Sequence, residues 1–134
     1  MILNGTAKDC TIEFPSPSRL RLPAVGGEVE KLIALKKQIS EILKSERVDC
    51  VGVIRADRNS SPIRAKVECM IQIASSEASI CCTLLPAQTI AAADKRKVNA
   101  VAGSEIEQAL HQISPAYLRK AVHCAWSVLN AREQ

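Results

Sequence analysis

Apolar residues recur along this chain in two different periods, and the switches between them mark its elements. Near the start they alternate. Met1 to Leu3 reads as a very short strand running into an Asn4-Gly5 turn, a strong hairpin signal. Ala7 to Phe14 follows, with Cys10, Ile12 and Phe14 at every second position, as in a half-buried strand. Pro15-Ser16-Pro17-Ser18 turns the chain. Arg19-Leu20-Arg21-Leu22 alternates again, which predicts a third, edge strand closed by Pro23; Gly26-Gly27 then breaks the pattern.

From Glu28 to Glu46 the period lengthens to that of a helix. Val29, Leu32, Ile33, Leu35, Ile39, Ile42 and Leu43 form its apolar stripe, with Lys31, Lys37, Glu41 and Lys44 left for solvent. Glu28 and Glu30 sit in the first turn and Arg47 follows the last, as the helix dipole prefers. Asp49 to Ala56 is then apolar on both faces apart from its ends, the mark of a central parallel strand. A polar turn, Asp57 to Ser61, leads into a helix with Ser61 at its cap and Pro62 at its first position. Ile63, Val67, Met70, Ile71 and Ala74 are its buried stripe, and a second buried strand runs from Ser79 to Leu85, ending at Pro86.

That is a βαβ unit, which implies a parallel pair and a ligand-binding edge where its strands end. Thr89 to Val98 predicts a short helix carrying Lys95-Arg96-Lys97, and Ser104-Glu105-Ile106-Glu107 has the spacing of a capping box. A last helix, apolar at Leu118, Ala121, Val122, Ala125 and Leu129, runs from Ser114-Pro115 to about Ala131. The order predicts one α/β domain over residues 1–134. Its sheet is five-stranded and mixed, three antiparallel strands and then a parallel βαβ, with helices packed on its faces.

Composition adds exclusions. Hydrophobic residues make up 47% and charged residues 24%, ordinary for a globular domain. Lys and Arg number 18 against 14 Asp and Glu, and the net charge of +4 permits a polyanionic partner without demanding one. The aromatics are Phe14, Tyr117 and Trp126, too few for a module that reads single strands by stacking bases. The six cysteines show no Cys-x-x-Cys spacing, and Cys81 and Cys82 are neighbours that point to opposite faces of a strand. They read as small buried hydrophobes of a reducing compartment, Cys10 alone being expected near the surface. Residues 1–5 carry no leader pattern and no apolar run approaches the ~20 residues of a membrane span, so the expectation is a cytoplasmic protein without membrane contact.

Chemistry concentrates at Arg55-Ala56-Asp57-Arg58-Asn59-Ser60-Ser61-Pro62, the carboxyl edge of the first parallel strand. Arg55, Arg58, Arg64 and Lys66, with the backbone N–H groups at the Ser61 helix start, suit an anion, because helix N-termini combine partial positive charge with unsatisfied donors. Lys95, Arg96 and Lys97 extend that patch. Asp57 and Glu68 are the best acids: a remnant metal or general-base pair in one reading. In the other, Asp57 pairs with Arg55 or Arg58, and Glu68 is solvated or pairs with Arg64. His111 and His123 lack metal-ligand spacing and read as packing or surface residues. Trp126 either anchors an interface or covers the core. No Gly-rich phosphate loop and no Gly-x-Ser-x-Gly elbow occurs.

The element order resembles the RNase H-like superfamily. Val51 to Ile73 followed by Leu84-Leu85-Pro86 resembles Holliday-junction resolvases of the RuvC type, and small RuvC-like proteins more closely still. The resemblance lies in a strand ending like Val53-Ile54-Arg55, a polar turn, a helix like Lys66 to Gln72, and a Pro-x-x-Thr-Ile turn like Pro86 to Ile90. Nucleases of that superfamily hold two divalent ions on acids from the first strand, the fourth strand and the last helix, with the ions ~3.5–4 Å apart. Here those places hold Met1, Ile2 and Leu3; Ala56 after Arg55; and Lys120, His123 and Cys124. Asp57 comes one residue late, and a one-residue slip reverses a strand's faces.

The resemblance therefore implies a catalytically degenerate RuvC-like domain that binds DNA or RNA backbone through its basic edge, with no cofactor. The alternative is a small structural or protein-interaction domain, dimeric through the Trp126 helix, with no nucleic-acid role. A third reading is an active nuclease on displaced acids such as Asp57 and Glu68, the one case that would call for Mg²⁺ or Mn²⁺.

Overall fold

Two helices end in the same way, and each ending launches a strand. The computed structural model describes residues 2–5, 10–13, 20–95 and 116–132. Helix α1 (Glu28–Ser45) closes at Glu46 and Arg47, whose φ of 49° is left-handed, and Val48 N–H reaches back to Leu43 C=O at 3.4 Å. Helix α2 (Pro62–Glu77) closes at Ala78 and Ser79, φ 57°, with Ile80 N–H on Ser75 C=O at 2.8 Å. Both are Schellman endings with a non-glycine residue in the left-handed position. Each drops one apolar residue, Val48 or Ile80, onto the same core just before a strand begins. Burying that residue accounts for the helix stopping where it does without a glycine.

The strands so launched are β3 (Cys50–Ile54) and β4 (Cys81–Leu85). They pair in parallel, from Cys50 opposite Cys81 to Ile54 opposite Leu85, and Arg55 N–H adds a bond to Leu85 C=O at 2.8 Å. One face of this pair meets α1 and α2 around Leu35, Ile39, Leu43 and Ala74, with Val51, Val67 and Ile71 packed against them. The other face meets helix α4 (Ala116–Arg132), where Cys124 and Val128 lie against Gly52. Helix α3 (Ala87–Lys95) packs beside α4 and buries Ile90. The described part is thus a three-layer βαβ sandwich. No described helix is long and apolar enough to cross a membrane.

Among the described residues the ladders are two separate pairs, β3 with β4 and an antiparallel β1 (Ile2–Gly5) with β2 (Cys10–Glu13), and no ladder joins the pairs. Several expectations need correction. Asn4-Gly5 is the end of β1 and not a turn: Leu3 stands in register with Ile12, whereas a turn at 4–5 would set Leu3 against Thr6. Residues 20–23 form no strand. Leu20 and Leu22 lie against the α1/α2 core as irregular chain, so their alternation satisfies burial without a ladder, and Pro23 has no N–H to give one. On α1, Leu32, Leu35, Ile39 and Leu43 are buried while Val29 and Ile33 stay 68% and 61% exposed. At ~100° per residue these two sit ~75–115° off the buried line, beyond the width α2 covers.

The third helix begins at Ala87, two residues before Thr89, directly after Pro86. Cysteines are less uniformly buried than expected, with Cys69 and Cys81 exposed. Cys69 is on the outer side of α2, and Cys81 is the first residue of β4, beyond the helical cover. The expected turn at 15–18, the capping box at 104–107, His111, the Ser114-Pro115 start and the cations Arg96 and Lys97 lie outside the described residues.

Candidate nucleic-acid interface

The carboxyl edge of β3 is organised by its two acids, and both are spent on the backbone. Asp57 Oδ1 accepts from Asn59 N–H at 2.9 Å and from the Ser60 hydroxyl at 3.2 Å. Ser60 Oγ accepts in turn from Asp57 N–H at 3.1 Å, and Ser60 N–H donates to Asp57 C=O at 3.0 Å. The loop is thus a closed Asx turn of short polar residues, which is why Asp, Asn and Ser stand there. Half-buried Glu68, nearly two turns into α2, accepts from Ala56 N–H through Oε2 at 2.7 Å. That bond ties the strand end to the helix. Neither carboxylate is ion-paired with Arg55, Arg58 or Arg64, one of the alternatives the sequence offered. Among the described residues no three His, Cys, Asp or Glu gather as a metal site.

Replacing Glu68 tests the tie. Glu68→Ala strands a part-buried N–H and costs about 1–3 kcal/mol, whereas Glu68→Gln keeps an acceptor and costs about 1 kcal/mol. Urea denaturation measures both, and equal losses in the two variants would remove the hydrogen bond from the explanation.

Asp57 and Asn59 stay exposed at this edge, and beside them the exposed charges are the cations Arg55, Arg58 and Arg64. Arg55 and Arg58 are exposed, and exposed Arg64 rests one Nη2 on Ile54 C=O at 3.3 Å. Ser61 caps α2 in an extended conformation with no side-chain bond to the helix; Arg64 N–H donates to Ser61 C=O at 3.0 Å and Pro62 has no N–H, so little of the first turn's donor capacity is left. Lys66 departs from expectation: its Nζ is paired with Glu28 across the α1–α2 contact and adds little to the edge. Lys95 closes α3.

Helix α4 brings two more cations that the sequence reading did not assemble. It runs antiparallel to β3, with Cys124 and Val128 over Gly52 and Arg132 within electrostatic reach of Cys50. A strand rises ~3.3 Å per residue and a helix ~1.5 Å, so the level of Arg55, ~10 Å beyond Gly52, falls near Arg119 and Lys120. Both are exposed. The signal for this was in the sequence only as Lys120 at an acid's expected place; the antiparallel run of α4 over Gly52 supplies the rest.

The other α4 residues singled out lie deeper. His123 and Cys124 are buried, and burial, then the neighbouring Cys82, pushes the Cys124 thiol up to about 11, so it stays neutral. Trp126 is half-buried. Beside the edge, a largely apolar crevice of about 750 Å³ runs between β1 and β3, reaching Arg64 and Glu68 at one end and Arg132 at the other.

This arrangement has counterparts among solved structures. The structure of Thermus thermophilus RuvC superposes with a TM-score of 0.63 at 16% identity, over 85% of this chain and 75% of that one. T. thermophilus RuvC in complex with a Holliday junction substrate superposes at 0.61 and 16%, over 85% and 76%. At that identity the likeness establishes an α/β, RuvC-like fold. No family model matches the chain, and no curated protein matches it in sequence.

Proposed function

We propose that this chain is a RuvC-like domain on the five-stranded RNase H-like plan, without the metal-binding acids, that binds nucleic-acid backbone at the carboxyl edge of β3. Arg55, Arg58 and Arg64 are its main phosphate contacts. Arg119 and Lys120 flank them, and the basic run Lys95, Arg96 and Lys97 is proposed to add further backbone contacts. One observation carries this reading. Asp57 and Glu68 are both held by backbone N–H groups, so the acids stay put while the guanidinium groups face solvent. Arginine forks suit phosphate oxygens bidentately, and the likeness to a RuvC solved on a Holliday junction supports the same class of partner.

The test is fluorescence anisotropy on single-stranded, duplex and four-way-junction DNA across a salt series, with a Mn²⁺ cleavage lane alongside. Three phosphate contacts predict binding ~40-fold weaker at ~200 mM than at ~50 mM salt. The triple variant Arg55→Ala/Arg58→Ala/Arg64→Ala flattens the salt slope by about three contacts. No binding at ~50 mM salt, or an unchanged slope in the variant, overturns the interface. Cleavage lost in Asp57→Asn would instead establish an active nuclease.

A second reading, an interaction module without nucleic acid, has its own observation in the exposed Val29 and Ile33 on α1. A dimer in sedimentation that Trp126→Ala or Ile33→Lys dissolves, with no DNA binding, is its signature.

A further inference from the structure

The far end of the β3/β4 ladder holds a pair of thiols that the nucleic-acid reading does not use. We propose that Cys50 and Cys81, the first rung of the parallel ladder, form a reversible disulfide by exchange with a low-molecular-weight disulfide, Cys81 entering and Cys50 resolving. Cys50 stands directly opposite Cys81 in the register, so both side chains lie on the same face, the one that carries Gly52 and meets α4. Neighbouring strands are ~4.8 Å apart, inside the ~4.4–6.8 Å that a disulfide requires between Cα atoms. The Cβ atoms of a disulfide lie ~3.5–4.5 Å apart, and a terminal rung can adjust toward that because residues 48–49 and 80 before it are outside the ladder.

The two thiols differ in access. Cys81 is exposed and Cys50 half-buried, with the Cys50 Sγ 4.0 Å from Val51 C=O, and the two thiols are near enough to influence one another's titration. Cys81 Sγ also lies 3.9 Å from Thr83 Oγ1. Burial, then the Cys81 neighbour, raises the Cys50 thiol, while the Thr83 hydroxyl and then the Arg132 charge oppose that rise. Cys50 therefore waits protonated under α4 until a neighbour sulfur is activated. Cys82 faces the other side of the sheet, where Ser75 hydrogen-bonds it, and Cys124 is buried against Gly52. Cys69 is exposed on α2 with no thiol opposite it in any ladder.

The exchange balances in two steps. The Cys81 thiolate attacks one sulfur of R–S–S–R, a Cys81–S–S–R bond forms, and one thiolate RS⁻ leaves. The Cys50 thiol then loses its proton and attacks the Cys81 sulfur, the Cys50–Cys81 bond forms, and the second RS⁻ leaves. Two protein thiols are oxidised by two electrons, R–S–S–R is reduced to two RSH, and the two thiol protons end on the leaving groups. The product staples β3 to β4 at the edge opposite Arg55.

Oxidised glutathione is the probe, and peptide mapping of the intact chain after graded exposure is the readout. The expected result is a Cys50–Cys81 linked peptide, reversed by dithiothreitol, and a higher urea midpoint for the oxidised chain than for the reduced one. Cys50→Ser is expected to stop at a Cys81–glutathione adduct, and Cys81→Ser to give neither. A persistent Cys81–glutathione adduct in the unmutated chain, or linkage of other cysteines in its place, overturns the proposal without needing either variant to fold.

Discussion

Gly52→Val is expected to destabilise the protein by on the order of 3 kcal/mol, and Gly52→Ala by about 1–2 kcal/mol, in urea denaturation. A Cβ at Gly52 would lie 2.7 Å from Val128 Cγ2, 3.2 Å from Cys124 Sγ and 3.4 Å from Cys124 C=O. The valine methyl can swing aside, but the sulfur and carbonyl belong to the part of α4 seated on the strand. An alanine gains back some stability through the unfolded chain, where glycine is freer, by about 0.4–1 kcal/mol. A valine at 52 makes the same gain in the unfolded chain but adds two methyls beside Val128 and Cys124, so its net loss is larger.

Val128→Ala separates the clash from any loss of strand propensity. In the Gly52→Ala background it relieves the shortest approach, so the two substitutions should couple favourably by about 1 kcal/mol. Additivity within about 0.5 kcal/mol would mean that α4 retreats as a body and that the Gly52 seat is not tight. That seat also sets the height of Arg119 and Lys120 over the β3 edge, so helix position and the proposed phosphate contacts depend on the same missing methyl.

Leu35→Ala is expected to cost about 2–5 kcal/mol, with Ile33→Ala two residues away changing stability by no more than about 0.5 kcal/mol. Leu35 is 4% exposed and belongs to the cluster with Ile39, Leu43 and Ala74, which Val51 reaches from β3. Truncating it leaves a cavity where α1, α2 and β3 meet, so the loss includes the hole as well as the transferred methyls. Ile33 is mostly in solvent and its truncation opens nothing. Thermal or urea unfolding of the pair checks this. A comparable loss at Ile33 would show that something covers that side of α1 in solution, and would favour the interaction-module reading.

How much of this was legible before the fold was seen can be judged residue by residue. Pro62 after Ser61, the apolar run from Cys50 to Ile54 and Pro86 after Leu85 mark the βαβ unit, because helix starts and buried strands are written in neighbouring residues. The basic edge was legible as well, since Arg55 and Arg58 follow a strand directly. The sequence pattern of Arg19 to Leu22 misled for a physical reason: alternation reports which side chains are buried, not whether a partner strand is present to take the hydrogen bonds. Val29 and Ile33 misled likewise, because helical periodicity shows an apolar side but not how wide the neighbour covering it is.

By itself, then, the chain determined helices α1 and α2, the parallel unit they join, and that Arg55 and Arg58 follow its first strand, all products of contacts within a few residues. Only the tertiary structure decided what the acids do. Whether Glu68 meets solvent, Arg64 or Ala56 N–H depends on how α2 lies against the end of β3, twelve residues away in sequence. The thiol pair waits on the same kind of information, since Cys50 and Cys81 are 31 positions apart and meet only through the parallel register. Gly52 reads in sequence as a weak point in a strand, and packing makes it the seat of a helix. Such roles arise from approach between distant elements, and no local pattern encodes a distance.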